Sequence, residues 1–416
     1  MDKKISFALS FLLSASVLFL VIFGIASPGG PAPEPYISPT PTAAAPAPSP
    51  SPEPLAEFRG VWAASVANLD YPSKTGLSAD HLRAEADQLL DTARELGFTA
   101  VFLQVRPAGD ALYPSEIFPW SRYLTGRQGE APPGGFDPLR YFIDGAHARG
   151  LELHAWLNLL RVARNEAELQ SLSPDNPASG RPEWLLQAGA LTLYDPGIPE
   201  VRALLLDGVR ELCQGYDLDG IHYDDYFYPE GGADDAASYA AHGSGGPDDW
   251  RRGNINALIR ETQEIAHSAG VRFGVSPPGV WQNLRDDPRG SETEGSPSYS
   301  AQFADSLLWV TEGWVDYIAP QLYWEIGDPK TDYQILLDWW ASAVRETGTD
   351  LYIGQATYLS SGAPGLEAWG GTAEIIRQIE RNRACPEVKG SLHFRYARIA
   401  GNQELRQAVR VLHGIS

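Results

Sequence analysis

The chain has 416 residues, of which 32 are Lys or Arg and 53 are Asp or Glu, giving a net charge of −21 and a pI near 4.7. That balance repels phosphate backbones and anionic lipid, which excludes nucleic-acid binding and nonspecific membrane adhesion as functions. With 43% hydrophobic residues, 12 Trp and 18 Tyr among them, the chain can build one large core.

Lys3 and Lys4 precede an apolar run from Ile5 to Ala26, and Gly24-Ile25-Ala26 offers small residues to a signal peptidase. The run is long for a signal and just long enough to span a bilayer. Residues 1–27 therefore read as a signal peptide or as an N-terminal membrane anchor, the only membrane link expected. Either reading puts the body outside the cytoplasm, secreted or held in the cell envelope. Residues 28–56 form a Pro/Ala/Ser-rich linker that cannot bury a core and is expected to be disordered.

From residue 57 to 416, strand-length apolar runs alternate with amphipathic helical patterns. Phe58–Ala63 is the first strand. Ser78 caps a helix to Leu96, with Leu82, Ala86, Leu89, Leu90 and Ala93 at helical spacing and Gly97 as the stop. Ala100–Val105 is the second strand, and Pro138 and Gly150 bracket the next helix. Leu151–Asn158 is the third strand, a helix spans about 200–213, and Gly220–Asp224 is the fourth. Four further pairs follow: helix 249–269 with strand 272–276, helix 301–311 with strand 315–323, helix 333–346 with strand 351–357, and helix 373–383 with strand 390–395. A helix over 403–412 closes the chain. Eight such units predict an α/β fold, a (β/α)8 TIM barrel. The rival open sheet would show a Gly-rich dinucleotide loop after a strand, and none is present. Cys213 and Cys385 fall far apart in this arrangement and are expected to be unpaired thiols.

Chemistry in a barrel sits at the carboxyl ends of its strands. There this sequence places polar and aromatic residues where packing alone would select Val, Ile and Leu. The fourth strand runs out into Asp224 and Asp225 within DGIHYDDYFYP (219–229), followed by Tyr226. Alternation puts His222 and Asp224 on one face and Tyr223 and Asp225 on the other, yet neighbouring acids can both face a ligand where a strand gives way to a loop. Trp62 ends the first strand, and Gln104, Arg106, Asp110 and Tyr113 follow the second. His154, Trp156 and Asn158 share one parity of the third, with Arg161 beyond. The fifth leads to Trp281 and Asn283, the sixth to Gln321, Tyr323, Trp324 and Glu325, the seventh to Gln355 and Tyr358, and the eighth to Arg395. Sugar rings present C–H faces to Trp and Tyr, and their hydroxyls need planar donors and acceptors such as Gln, Asn, Arg and Asp. The set predicts a glycan-binding groove.

The segments RGVW, QVRPAGDALYPS, HAWLNLLR, DGIHYDDYFYP and PQLYW, in this order and spacing, resemble the glycosyl-hydrolase-like family 10 proteins of the bacterial envelope, over about residues 57–413. The resemblance implies a barrel that cuts peptidoglycan glycan strands, particularly strands stripped of stem peptides. The expected partner is that glycan.

Glycoside hydrolysis generally uses two carboxyl groups. Asp224 and Asp225 are the expected catalytic pair, similar to the adjacent acids of some N-acetylhexosaminidases. In that scheme one acid orients the substrate's acetamido group and the other protonates the leaving oxygen. Asp224 is assigned the first role and Asp225 the second, with the order open. A rival assignment takes Asp110 or Glu325 as the second carboxylate across the barrel, although Asp110 can instead pair with Arg106. Arg106, Arg161 and Arg395 are candidate partners for a muramic acid carboxylate. The remaining aromatic and polar residues named above are expected to bind substrate. The eight histidines show no HExxH or similar spacing, so no metal or other cofactor is expected. A metal-dependent alternative would draw on His154, His222 and Asp224, and a noncatalytic glycan-binding barrel is the alternative of another class.

Overall fold

A computed structural model describes residues 57–230, 232, 234–361, 369 and 371–415, so the expected leader and linker lie outside the described residues. The barrel strands are β1 (Phe58–Ala63), β2 (Ala100–Arg106), β3 (Glu152–Leu157), β4 (Gly220–Tyr223), β5 (Arg272–Val275), β6 (Tyr317–Ile318 and Gln321–Leu322), β7 (Asp350–Gln355) and β8 (Val388–His393). Every neighbouring pair is parallel. Pairing of β8 with β1, and of β6 with both β5 and β7, closes the ring.

The main helices follow the strands in turn: α1 (Ala79–Glu95), α2 (Pro138–His147), α3 (Pro199–Gly215), α4 (Pro247–Ser268), α5 (Ser306–Thr311), α6 (Tyr333–Val344), α7 (Ala373–Ala384) and α8 (Gln403–Leu412). Their starts are written locally. Ser78 and Asp137 accept from the backbone N–H three residues on, and Pro occupies the first turn of α2, α3 and α4, where its missing donor is harmless.

Strand alternation divides the core in two. Val61, Val101, Leu103, Leu153, Ile221 and Val275 point outward and pack with the helices. Phe58, Trp62, Phe102, Trp156, Tyr317, Tyr352 and Leu392 point inward and fill the barrel. This interior is aromatic, so two strands leave room for it with glycine. A Cβ on Gly220 would stand 2.1 Å from His154 Nδ1, and one on Gly274 would stand 2.2 Å from the Tyr317 ring.

Two elements differ from the sequence expectation. The continuous strand expected over 315–323 is broken at Ala319-Pro320, because Pro has no N–H for the ladder. The long connection after β3 folds into a separate antiparallel sheet of Arg161–Ala163, Leu185–Ala188 and Leu191–Tyr194. Cys213 is buried, Cys385 is half-buried, and both are free. No helix among the described residues is long and apolar enough to cross a membrane.

Candidate active site

A cavity of about 330 Å³ opens at the carboxyl ends of the strands. Its lining takes Trp62 from β1, Gln104 from β2, Trp156 from β3, Asp224 and Asp225 after β4, Ser276 after β5, Gln321 and Tyr323 from the end of β6, and Phe394 after β8. The ladder of β4 stops at Tyr223, so strand alternation no longer governs the next two residues and both acids reach the same space.

Asp224 is gripped as an acceptor. Its Oδ2 receives Trp156 Nε1–H at 3.0 Å and Asn158 Nδ2–H at 2.9 Å, and its Oδ1 receives the Tyr226 amide at 3.4 Å. Burial, reinforced by the adjacent Asp225 charge, still pushes its carboxyl up to about 7. Arg161 and the Trp156 donor act in the opposite sense. Asp225 is half-buried and is also raised, by burial first, with Gln321 and Arg161 opposing. Two such neighbours titrate as a unit, and burial favours keeping a proton on the pair.

The walls are fixed from behind. Gln104 Oε1 accepts the Ser65 and Val66 amides at 3.1 and 3.0 Å, which pins the loop after β1 to the end of β2. Arg161 donates to the Pro107 carbonyl at 2.8 Å, and its guanidinium lies 5.0 Å from the Tyr226 ring centre. Gln321 Nε2 donates to the Ser276 carbonyl at 3.0 Å. Trp62, Gln104, Trp156, Asn158, Arg161, Tyr226, Gln321 and Tyr323 thus stand at or against the cavity with the two acids.

The remaining expected residues are elsewhere. Asp110 is fully buried in the loop after β2, where Gln128 Nε2 donates to it at 3.4 Å, and it neither lines the cavity nor pairs with Arg106. Glu325 is half-buried and does not line the cavity. Neither is the second carboxylate across the cavity. Arg106 is buried with its guanidinium 4.7 Å from the Phe118 ring centre, and Tyr113 is buried beside Tyr216. Arg395 braces Asp70 at 2.7 Å and so holds the loop after β1 from outside. Trp281 is buried against Trp339 and donates to Asp305, and Asn283 donates to the Gly295 carbonyl within its own loop. Trp324 packs into the outer core, Gln355 donates to Tyr333, and Tyr358 packs on Tyr323 and Phe394 away from the cavity. None of these residues lines the site.

His154 and His222 also change role. They lie beneath the cavity floor in a chain whose donors fix every tautomer. Trp62 Nε1–H can only donate, so His222 Nε2 accepts it at 3.2 Å. His222 Nδ1–H then donates to the Tyr317 hydroxyl at 3.2 Å, which donates to His154 Nδ1 at 3.0 Å. His154 Nε2–H ends on the Glu152 carboxylate at 3.0 Å. Burial lowers both imidazole pKa values, so both are neutral. Their lone pairs are occupied, which removes the histidine ligands of the metal-dependent alternative. Among the described residues no group of three or more His, Cys, Asp or Glu side chains is placed to hold a metal ion.

The lining also includes Ala64, Val66 and Leu69 of the loop after β1 and Phe394 after β8, none of which the sequence reading singles out. Phe394 lines the cavity with its ring centre 6.0 Å from Trp62, 6.5 Å from Trp156 and 6.4 Å from Tyr323. An aromatic between His393 and Arg395 at a strand end was the available signal.

Comparison with known proteins agrees with this architecture. The sequence model described as Glycosyl hydrolase-like 10 matches residues 57–364. The chain is 44% identical over 348 residues to "Glycosyl hydrolase YngK" of Bacillus subtilis, covering 81% of this chain and 68% of that one. It is 40% identical over 363 residues to "Glycosyl hydrolase DigH" of Escherichia coli, covering 81% and 82%. Among solved structures, the PgaB (BpsB) glycoside hydrolase domain of Bordetella bronchiseptica superposes with a TM-score of 0.56 at 16% identity, covering 86% of this chain and 99% of that domain. The catalytic domain of a Paenibacillus polymyxa β-amylase gives 0.52 at 14%, with coverage of 86% and 99%. At such identities these two likenesses speak for the barrel alone.

Proposed function

The chain belongs to the glycosyl hydrolase-like 10 family, a membership that makes it a hydrolase of glycosidic bonds, and from that premise we propose that it cleaves bacterial cell-wall glycan, specifically peptidoglycan strands without stem peptides, outside the cytoplasm. The observation that carries the reading is the adjacent acid pair, Asp224 buried and Asp225 half-buried, both open to a cavity walled by Trp62, Trp156, Tyr226, Tyr323 and Phe394. Sugar C–H faces pack on such rings, and Arg161 is the one cation among the described residues lining the cavity, suited to a muramic acid carboxylate.

The mechanism assigned to this geometry is substrate-assisted. Asp224, held rigidly by Trp156 and Asn158, accepts the acetamido N–H of the bound sugar. The acetamido oxygen attacks the anomeric carbon as the bond to the leaving oxygen breaks. Asp225 gives its proton to that oxygen. Water then adds at the anomeric carbon, returns a proton to Asp225 and restores the acetamido group. These roles answer the cost of holding two adjacent carboxyl groups so far from bulk water.

Mass spectrometry of products from peptide-free peptidoglycan strands is the direct test. Wild type is expected to release shorter glycans. The D224N/D225N double variant should release at least about 10³-fold less while still binding strands. Wild type that binds strands but releases nothing would sink the proposal in favour of a binding barrel.

A further inference from the structure

A second cavity, of about 600 Å³, lies on the far side of Tyr226. Ala188, Leu191 and Leu193 of the small antiparallel sheet form one wall, Tyr228 and Glu230 of the loop after β4 form another, and Gln302 completes it. Tyr226 lines both cavities and is 44% exposed, the only aromatic ring among the large hydrophobic side chains that stand out from the described surface. One face of its ring lies toward the Arg161 guanidinium, and the ring also borders the second cavity. Glu230 is close enough for its charge to be felt at Asp225, which ties the second cavity to the acid pair. The buried Gln302 amide oxygen has no partner among the described residues.

We propose that this cavity is a second sugar subsite, taking a neutral N-acetylhexosamine ring from the strand whose neighbouring ring sits at the acid pair. The proposal rests on the glycan-hydrolase reading and adds the direction in which the strand leaves the site. Continuity through Tyr226 selects the occupant, because a polymer threaded past that ring enters this space next. Charge selects the kind of ring. Among the described residues lining the cavity there is no Lys or Arg but there is Glu230, so a carboxylate-bearing ring would be repelled while hydroxyl and amide N–H donors find Glu230 and Gln302. The apolar wall of Leu191, Leu193 and Tyr228 receives the C–H face.

The test is a plug placed away from the acids. Ala188 is half-buried near the sheet's exposed turn, where a larger side chain can fill the cavity without entering the barrel. Size-fractionated peptide-free strands are offered to wild type and to Ala188→Trp, with Leu191→Trp as a second plug should the first melt early. The subsite predicts that kcat/KM of wild type rises with strand length and that the plug lowers it about tenfold on long strands. On the shortest strand cleaved, the plug should leave kcat/KM unchanged. An equal ratio of plugged to wild-type rates at every length overturns the subsite while leaving the hydrolase standing. If wild type cleaves no strand at all, the hydrolase reading fails first, and calorimetric binding of long strands decides the subsite. About tenfold weaker binding by the plugged variant upholds it, and equal binding overturns it.

Discussion

Asp224 accepts three donors and yet is pushed up to about 7, because burial and the Asp225 charge outweigh them. Two measurable consequences follow at this scale. The donor Asp225 must hold its proton, and burial raises its carboxyl, so kcat should fall with rising pH, tenfold per unit once that proton is lost. A pH profile flat from 5 to 9 would refute this. The second consequence concerns stability. A carboxyl whose folded pKa lies above its unfolded 3.8 supports the fold only while protonated, so its contribution is complete below about pH 4 and is lost as pH climbs to about 7. Asp224→Asn stays neutral at every pH and keeps an acceptor for Trp156. It should therefore be more stable than wild type by about 2–4 kcal/mol at pH 8, with the gain vanishing near pH 4. Denaturant melts at the two pH values check the sign.

At the scale of elements, the histidine chain shows how a strand's inward parity carries different duties at different depths. Trp62, Trp156 and Asp224 sit at the mouth, while His154, His222 and Tyr317 sit one step further in as a hydrogen-bonded column that meets the cavity lining at Trp62 and Ser276. His222→Phe would strand the Trp62 indole N–H at the cavity floor and leave the Tyr317 hydroxyl with one partner fewer, at about 2–3 kcal/mol. Chemical denaturation should show that loss, and an unchanged midpoint would disprove the role. The same distinction explains what the sequence could reveal. Alternation identifies which face of β3 and β4 turns inward, and caps such as Ser78 and Asp137 mark helix starts, so the barrel is legible. Depth along the barrel axis is not written in the alternation, so it does not separate His154 and His222 from Trp156, and a register shift between Gln104 and Arg106 turns Arg106 outward against α3. Trp281, Asn283, Trp324 and Glu325 lie in connections whose paths depend on nonlocal packing. Phe394 lies just past His393, the last residue of β8, where alternation no longer says which side chains turn inward. The small antiparallel sheet has strands of three or four residues, too short to show a period.

For the whole molecule, charge and proposed substrate pull against each other. The chain carries −21, and peptidoglycan strands carry a carboxylate on every muramic acid ring. Encounter between them is opposed at long range, and only Arg161 among the described cavity-lining residues offers a local attraction. The screening length is about 30 Å at 0.01 M salt and about 8 Å at 0.15 M, so most of the repulsion acts only in dilute buffer. The predicted signature is a KM for muramic-acid strands that falls about threefold between those salt concentrations, with kcat little changed. Neutral N-acetylglucosamine oligomers provide the internal control, since they carry no charge for the field to act on. Their KM should not move over the same range. If both polymers respond alike, salt is acting on the protein itself and the net charge has no part in substrate encounter. If KM for the anionic strands rises with salt instead, the Arg161 contact dominates the distant acids, and the cavity is electropositive in spite of the chain that surrounds it.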